Sequence, residues 1–449
     1  MSGNVYRALS LLLLLAVVAS CQRKTSSTES PPADRSVAVS LARKPKAPIT
    51  FLSTQMNPVA EAGKMRNVIL KDFPGEVAFR PNDNSYILGQ VSAILRDDPS
   101  ASVLVGALHG DLSMLRDDGS LRPLDDLYAS LKDRSFAGDM EKLSMLGGKE
   151  RYYIPWMQAS FVMAASRKAL AYLPKGADIE SLTYEQLYSW AKAIYDATGR
   201  KALGFPAGQK GLMHRFFQGY LYPSFTASTL LKFRSRDAEG MWVYFKHLWS
   251  LVDPGSLGYS TMSEPLLRGD VWIAWDHTAR LVKAFQERPK DFVAFPAPAG
   301  PKGRGYMAVV SGLAIPKSVK DPGDPASLIE YLTLPEIQER TLRETGFFPV
   351  VAEASPSRAP EYLRELSLAV GSQSRAPDAI ATLLPVGLGE RAGDYDSFFM
   401  LAFSKIALEG ESIRTVLNRN AAELQRIVDE RNAACWLPDA SDERPCRIE

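Results

Sequence analysis

Residues 102–111 read SVLVGALHGD. The apolar run Ser102–Gly106 predicts a buried strand, and the polar end of the stretch, His109–Asp111, predicts a loop. Upstream, strands predicted at Ile49–Leu52 and Glu76–Phe79 are separated from each other and from this strand by helical segments. Strand–helix–strand order of this kind is typical of an α/β fold, in which helices cover a mostly parallel sheet.

The loops that follow these strands are the first candidate binding residues. In open α/β sheets, ligands bind beyond the carboxyl ends of the strands. Gln55 and Asn57 in the first loop, and His109 and Asp111 in the second, are therefore predicted to line a site. The alternatives remain open, because the first loop also suits a plain turn and Asp111 also suits the N-cap of a helix.

The alternation continues along the chain. Thr183 and Gln186 have the spacing of a capping box, which predicts the start of a helix. The C-terminal third is predicted to be helical, ending in Tyr395–Leu408 and Glu411–Arg431. Further strands are predicted at Ala159–Ala165, Leu203–Phe205, Val271–Asp276, Asp291–Phe295 and Tyr306–Ile315.

The N-terminus has the layout of a secretory signal peptide. Arg7 precedes the apolar run Leu9–Ala19, which is shorter than the roughly 20 residues that span a bilayer as a helix. The segment Val18–Cys21 resembles a bacterial lipobox, whose cysteine is lipidated, for example with palmitate, after cleavage. An ordinary signal peptide followed by an unrelated cysteine is the alternative. We therefore predict a signal peptide at residues 1–20 and a flexible tether at residues 21–48.

The other two cysteines, Cys435 and Cys446, lie near the C-terminus. If Cys21 carries lipid, they are the only possible pair, and a secreted chain meets an oxidising compartment. A disulfide between them is the favoured prediction, and two free thiols in a mobile tail are the alternative.

Length and charge narrow the class of protein. A chain of 449 residues is too long for one ordinary domain, so we expect two lobes or domains. Lys and Arg number 53 against 51 Asp and Glu, and this balance gives no reason to expect a nucleic-acid partner. No segment after the N-terminus is long and apolar enough to predict a membrane span.

Several motifs together resemble the bacterial extracellular solute-binding proteins of the type-1, maltose-binding-like family, the receptor components of ABC importers. They occur in that family's order and cover nearly all of residues 49–431. The chain departs from the family pattern at Leu108–His109, which is apolar and basic, and in its C-terminal cysteine pair. The matching landmarks are Ile49–Leu52, SVLVGALHGD, Leu121–Asp125, YYIPWMQASFV, RGDVWIAWD, Ser311–Lys317 and Thr345–Pro349.

The resemblance implies an α/β fold of the two-lobe, type II periplasmic-binding-protein class, hinged by three chain crossings. The crossings are implied near Gln158, Val310–Ser311 and Phe347–Pro349. Lobe one is then residues 49–157 with 312–346, lobe two is residues 158–311 with 347–434, and residues 435–449 form a tail.

The same resemblance directs attention to aromatic residues near the crossings. A sugar site needs flat aromatic faces and planar polar groups. Trp156 and Trp275 match the family's cleft-facing aromatics, with Gln158 and Asp276 as polar neighbours. Core packing is the alternative for both indoles. Tyr306 and Ser311 flank the second crossing and are predicted to contact ligand or form the hinge.

The implied function is that of a membrane-anchored lipoprotein outside the cytoplasm. It captures a sugar or oligosaccharide by hinge closure and delivers it to an ABC permease. We expect a monomer without a cofactor. We also expect no metal site, because the four histidines lack metal-ligand spacing. The alternatives are a binding protein for a polyamine or other non-sugar solute and a secreted glycan-active enzyme, although no hydrolase motif occurs. A lipoprotein that uses the same fold outside transport is a third possibility.

Overall fold

The computed structural model describes residues 44–55, 59–82, 87–136, 140–354, 359–440 and 444–449. The described part of the chain forms three sheets covered by helices. The strands are β1 Ile49–Ser53, β2 Val77–Pro81, β3 Ser102–Leu108, β4 Ile154–Ala159, β5 Phe161–Ser166, β6 Leu203–Gly204, β7 Ile273–His277, β8 Phe292–Phe295, β9 Arg304–Met307, β10 Val309–Ala314 and β11 Ala379–Thr382.

Helices lie between most of these strands, and the longest of them is α16 near the C-terminus. The helices are α1 Val59–Lys64, α2 Ile87–Asp97, α3 His109–Asp117, α4 Asp125–Ser130, α5 Met140–Ser144, α6 Tyr184–Thr198, α7 Met213–Phe216, α8 Tyr222–Thr226, α9 Arg236–Trp249, α10 Ser263–Arg268, α11 Thr278–Glu287, α12 Gly323–Leu332, α13 Pro335–Thr345, α14 Glu361–Ser374, α15 Ala392–Ala402 and α16 Ile413–Arg431.

A five-stranded sheet of order β2-β1-β3-β10-β4 forms the centre of lobe one. Strands β1, β2 and β3 are parallel, as the strand–helix–strand order predicts, whereas β10 runs antiparallel to both β3 and β4. The sheet is therefore mixed: β10 enters it from the other lobe and runs against its neighbours, whereas β4 follows β3 through helices α3–α5 and runs parallel to it. Phe51, Leu104 and Val105 on the central strands are fully buried in its core.

A four-stranded sheet of order β6-β7-β5-β8 forms the centre of lobe two, and the pair β11-β9 lies beside it. Its core contains a large aromatic cluster, which includes Trp190, Trp242 and Phe245 at zero exposure. Helix α6 begins as predicted: the Thr183 side chain accepts from the Gln186 N–H, and the Gln186 side chain accepts from the Thr183 N–H.

Two long predicted strands are each broken at the passage between lobes. The predicted run Ala159–Ala165 is divided at Ser160 between β4 and β5, and the predicted run Tyr306–Ile315 is divided at Ala308 between β9 and β10. In each case the two halves belong to different sheets. The continuous apolar sequence gives no sign of this break, because both halves are buried and both read as strand.

On either side of the third crossing, several residues pack in the other lobe from the one that the resemblance implies. Val350 and Val351 lie in the core of lobe one, although residues from 347 onward are implied to belong to lobe two. Leu342 instead packs with the core of lobe two. The chain thus exchanges lobes gradually here, because α13 contributes side chains to both cores.

The C-terminal tail is part of lobe two. Cys435 and Cys446 form a disulfide, with their Cα atoms 4.8 Å apart. Trp436 packs against Tyr395 with ring centroids 5.3 Å apart. The Asp439 carboxylate accepts hydrogen bonds from the N–H groups of Thr229 and Leu230. These contacts join the tail to the core.

Candidate functional site

The two loops predicted to line the site lie next to each other. Strands β1 and β3 are parallel neighbours, so their carboxyl ends meet at one edge of the sheet. The Thr54 hydroxyl donates to an Asp111 carboxylate oxygen at 3.4 Å, and Gln55 donates to Thr54. Asn57 and Cys21 lie outside the described residues.

His109 is held in the wall of lobe one. It is only 7% exposed, and its Nδ1 lies 3.0 Å from the Tyr153 hydroxyl. Burial lowers the pKa of His109 to about 4, so the imidazole is neutral at pH 7. His109 therefore contributes a neutral polar edge to this wall, not a charge.

Lobe two approaches lobe one at the next residue. The predicted loop His109–Asp111 is instead the first turn of α3, whose N-cap is Leu108 and not Asp111. A Cβ atom at Gly110 in this turn would overlap the carbonyl oxygen of Pro385. A Cβ at Gly389, on the same lobe-two segment, would lie 3.0 Å from the Met114 sulfur. The two lobes are therefore in contact at α3, and only glycine allows this approach at position 110.

Trp156 is placed differently from the expected cleft-facing ring. Its indole is fully buried in the core of lobe one, 5.4 Å from the ring of Phe51. Although β4 is an edge strand of the sheet, the indole packs inward against Phe51 of β1 and Gly106 of β3. Its Nε1 has no hydrogen-bond partner among the described residues.

Trp275 is likewise fully buried, in the aromatic core of lobe two. It stacks on Phe161 with centroids 4.7 Å apart and an interplanar angle of 2°. Phe216 and Tyr220 meet the ring edge-on at 5.1 and 5.2 Å. The face expected for sugar is thus occupied by a phenylalanine of the neighbouring strand.

Asp276 follows Trp275 and is a buried carboxylic acid. It accepts hydrogen bonds from the N–H groups of Met262 at 2.8 Å and His277 at 2.7 Å. Burial raises the pKa of Asp276 to about 7, although the Arg280 charge and these N–H donors favour ionisation. The group orders the end of β7 and is fully buried, so it is closed to solvent.

We expect the variant Asp276→Asn to change how stability depends on pH. Between about pH 4 and pH 7 the native Asp276 holds a proton that the unfolded chain has lost, so its contribution to stability falls as pH rises. Relative to Asp276→Asn, the free energy of unfolding of the wild type should fall by up to about 1.4 kcal/mol per pH unit as pH rises across this window. Urea unfolding at several pH values measures the difference.

The stability of the wild type is compared with that of Asp276→Asn because the histidines change stability with pH in the opposite direction. His109, His214 and His277 have pKa values lowered to about 4, 4 and 3, so their contribution to stability rises with pH up to about 6.5. Asp126→Asn, at an exposed position, is the control and should run parallel to the wild type. A parallel profile for Asp276→Asn would show that Asp276 is ionised throughout.

Gln158, Tyr306 and Ser311 lie on or next to the strands that pass between the two sheets. Gln158 is half-buried, and its Nε2 donates to the Pro349 carbonyl at 2.9 Å. Ser311 is buried in β10, and half-buried Tyr306 lies in β9 and accepts through its carbonyl from the Thr382 hydroxyl at 3.1 Å. Their role in ligand contact remains a prediction, and the hydrogen bonds of Gln158 favour a hinge role.

A charged cluster that the sequence analysis missed lies between α7 and α15. Arg215 binds Asp396 through two hydrogen bonds of 2.9 and 3.1 Å, and Gln218 donates to the same carboxylate at 2.8 Å. His214 Nε2 lies 3.6 Å from Asp396, and burial together with the charges of Arg215 and Arg280 lowers the pKa of His214 to about 4. The partners are about 180 residues apart in sequence, so local spacing gives no signal of them.

A cavity of about 510 Å³ lies elsewhere on lobe two, between α6 and α9. Tyr188, Phe225 and Tyr244 provide aromatic walls, with Asp237 and Lys302 at the rim. None of the predicted site residues lines it. No group of metal-ligating side chains and no helix able to cross a membrane occurs in the part of the chain that the structure describes.

The described part of the chain forms two lobes, each built on a sheet covered by helices, and the chain crossings at Gln158, Val310 and Phe348 join them. Residues 83–339 match the family model described as bacterial extracellular solute-binding protein, and the chain belongs to this family. Among curated proteins, none matches the sequence.

Solved structures with the same fold include several sugar receptors. MalE from Xanthomonas citri is 16% identical, with a TM-score of 0.69 over 86% of this chain and 98% of that one. The GacH receptor of Streptomyces glaucescens, solved with acarbose, is 15% identical, with a TM-score of 0.63 over 85% and 98%. UgpB from Mycobacterium tuberculosis, solved with glycerophosphocholine, is 17% identical, with a TM-score of 0.64 over 86% and 99%.

Proposed function

We propose that this protein is the solute-binding component of an ABC importer, that it captures a carbohydrate by closing two lobes, and that it delivers the solute to a membrane permease. The observation that carries the proposal is the meeting of three chain crossings at Gln158. Gln158 pairs with Val310 in the sheet and exchanges backbone hydrogen bonds of 3.1 and 2.7 Å with Phe348. Three adjacent extended segments form a narrow connection that suits hinge bending.

The choice of carbohydrate rests on the cleft wall and on the relatives. Thr54, Gln55 and Asp111 present hydroxyl, amide and carboxylate groups, which suit sugar hydroxyls. MalE is described as a sugar-binding protein, and GacH was solved with acarbose. We propose that binding occurs without turnover, as in the other members of a solute-binding family.

A non-sugar solute is the second candidate. Both expected stacking indoles are buried, so no tryptophan face at these positions is open to a sugar. UgpB, which has the same fold, was solved with glycerophosphocholine, and this supports a polar or charged solute instead. A thermal-shift screen against carbohydrates, polyamines and phosphodiesters separates the two candidates, because a ligand raises the melting temperature by mass action.

We expect Gly110→Val to weaken solute binding at least about tenfold while leaving the fold intact. The added side chain would overlap the Pro385 carbonyl and hold the lobes apart, so the closed state loses population and the apparent affinity falls. Calorimetry with the ligand found by the screen measures affinity, and small-angle scattering measures compaction.

Gly89→Ala is the control for this variant, because a Cβ at Gly89 in α2 meets nothing within 4 Å. It should bind as the wild type does. Normal affinity and normal compaction in Gly110→Val would show that the lobes do not close at α3, and would count against capture by hinge closure.

We propose that Cys21 carries lipid and anchors the chain to a membrane outside the cytoplasm. The lipobox-like Val18–Cys21 supports this. Cys21→Ala is expected to yield soluble or unprocessed protein, as judged by membrane fractionation and intact-mass measurement. A variant that is processed normally and stays in the membrane fraction would contradict the anchor.

A further inference from the structure

A second cavity, of about 380 Å³, lies at the edge of the lobe-two sheet opposite the cleft. Strand β5 begins at Phe161, which pairs with His277 beside the cleft, and ends at Ser166, which lines the cavity. Five residue steps of a strand span roughly 16 Å. The cavity is therefore separate from the proposed solute site.

Its lining is dominated by positive charge. Five lining residues are cationic and only one, Asp291, is acidic. The net charge of these lining residues is therefore larger than the formal net charge of the entire chain, which is +2. The cationic residues are Arg167, Lys168, Arg268, Arg288 and Lys290, and all five are exposed.

Carboxylates of the protein neutralise only part of this charge. Arg268 lies 2.7 Å from Asp270, and Arg167 lies at the longer distance of 3.9 Å from Glu365. For the side chains of Lys168, Arg288 and Lys290, the residues that the structure describes supply no carboxylate partner.

Lys168 is in addition held close to another cation. Its Nζ lies 4.2 Å from the centroid of the Trp272 ring, and the Arg200 guanidinium lies 5.5 Å from the same ring. Burial and the neighbouring Arg200 lower the pKa of Lys168. Arg200 is held in place because it donates a hydrogen bond to the Gly269 carbonyl at 2.7 Å. A bound anion would relieve the repulsion between the charges of Arg200 and Lys168.

The lower wall of the cavity is apolar. Leu266, Leu267 and Phe292 line it and are buried, with at most 8% of each residue exposed. An anion attached to a short carbon skeleton can place its charge among the cations and its carbon atoms against this wall. Arg288 adds a planar fork of donors that matches the geometry of a phosphoryl group.

We infer that this cavity is an anion-binding site for a phosphoryl group, distinct from the solute cleft. A phosphomonoester dianion places three acceptor oxygens against the cations, and the phosphodiester of a lipid headgroup places two oxygens and one charge there. The group has two possible sources, a soluble phosphomonoester or the headgroup of an anionic phospholipid. The inference does not depend on which solute the cleft binds.

The test uses the full chain with Cys21→Ala, so that lipid cannot contribute to binding. Calorimetry with glycerol 3-phosphate probes the soluble source, and sedimentation with phosphatidylglycerol vesicles in phosphatidylcholine probes the lipid source. The variant Arg288→Gln/Lys290→Gln is expected to weaken binding of the effective probe about tenfold, since each exposed ionic contact accounts for about threefold. Far-ultraviolet circular dichroism checks the fold.

The control Lys232→Gln/Lys246→Gln removes the same charge from exposed positions elsewhere on lobe two and should bind as the wild type does. Binding of glycerol 3-phosphate without vesicle binding identifies a soluble phosphomonoester as the ligand, and vesicle binding identifies a headgroup. The inference is overturned if neither probe binds saturably, if the control loses as much affinity, or if Arg288→Gln/Lys290→Gln binds both probes normally.

Discussion

Replacing Trp156 or Trp275 by alanine is expected to lower the free energy of unfolding by about 3–5 kcal/mol. Both indoles have zero exposure, and truncation leaves a cavity that the surrounding residues cannot fill. A Cβ at Gly106 on β3 would lie 3.0 Å from the Trp156 ring, which shows how closely the indole packs across the sheet. Trp275 loses its stack on Phe161. Urea denaturation of each variant measures the change.

The control for this prediction is Tyr195→Ala on α6, where the aromatic ring is 40% exposed. It should change the free energy of unfolding by less than about 1 kcal/mol. If Trp156→Ala or Trp275→Ala unfolds as the wild type does but binds solute weakly, the indole is a ligand platform that opens to solvent. A large loss of stability assigns the residue to the core.

Removal of the C-terminal disulfide, as Cys435→Ala/Cys446→Ala, is expected to lower the free energy of unfolding by about 3 kcal/mol. The two cysteines are 11 residues apart, and closing a loop of this length restricts the unfolded chain by about that amount. Because Trp436 and Cys446 are buried in the core of lobe two, release of the tail also exposes apolar surface. Thermal unfolding measures the loss.

The reduced wild type should melt close to the double variant, which separates the effect of the bond from the effect of the substitutions. Asp439→Ala tests the packing of the tail with the bond intact, since it removes the acceptor for the N–H groups of Thr229 and Leu230. Equal melting of the oxidised wild type and the double variant would mean that the bond does not restrict the unfolded chain. Free thiols in peptide mapping would contradict the bond itself.

Features that depend on near neighbours in sequence were predicted well. The parallel strands β1 and β3 follow from short apolar runs separated by a helix, and the start of α6 follows from the spacing of Thr183 and Gln186. Side-chain direction was predicted less well. The indoles of Trp156 and Trp275 were expected to face the cleft. Both instead point into a hydrophobic core, because other side chains cover that face of β4 and of β7.

The sequence by itself determined the α/β class, the family and the position of Gln55 and His109–Asp111 at the sheet edge, because strand and helix periods are local properties. The loop predicted at His109–Asp111 was wrong, since these residues form the first turn of α3. Only the tertiary structure decided where β4 and β10 cross between lobes, how Gly110 meets Pro385, and how Arg215 pairs with Asp396. These contacts join residues far apart in the chain. Their energies depend on burial and on distance in space, which residue spacing along a sequence does not encode.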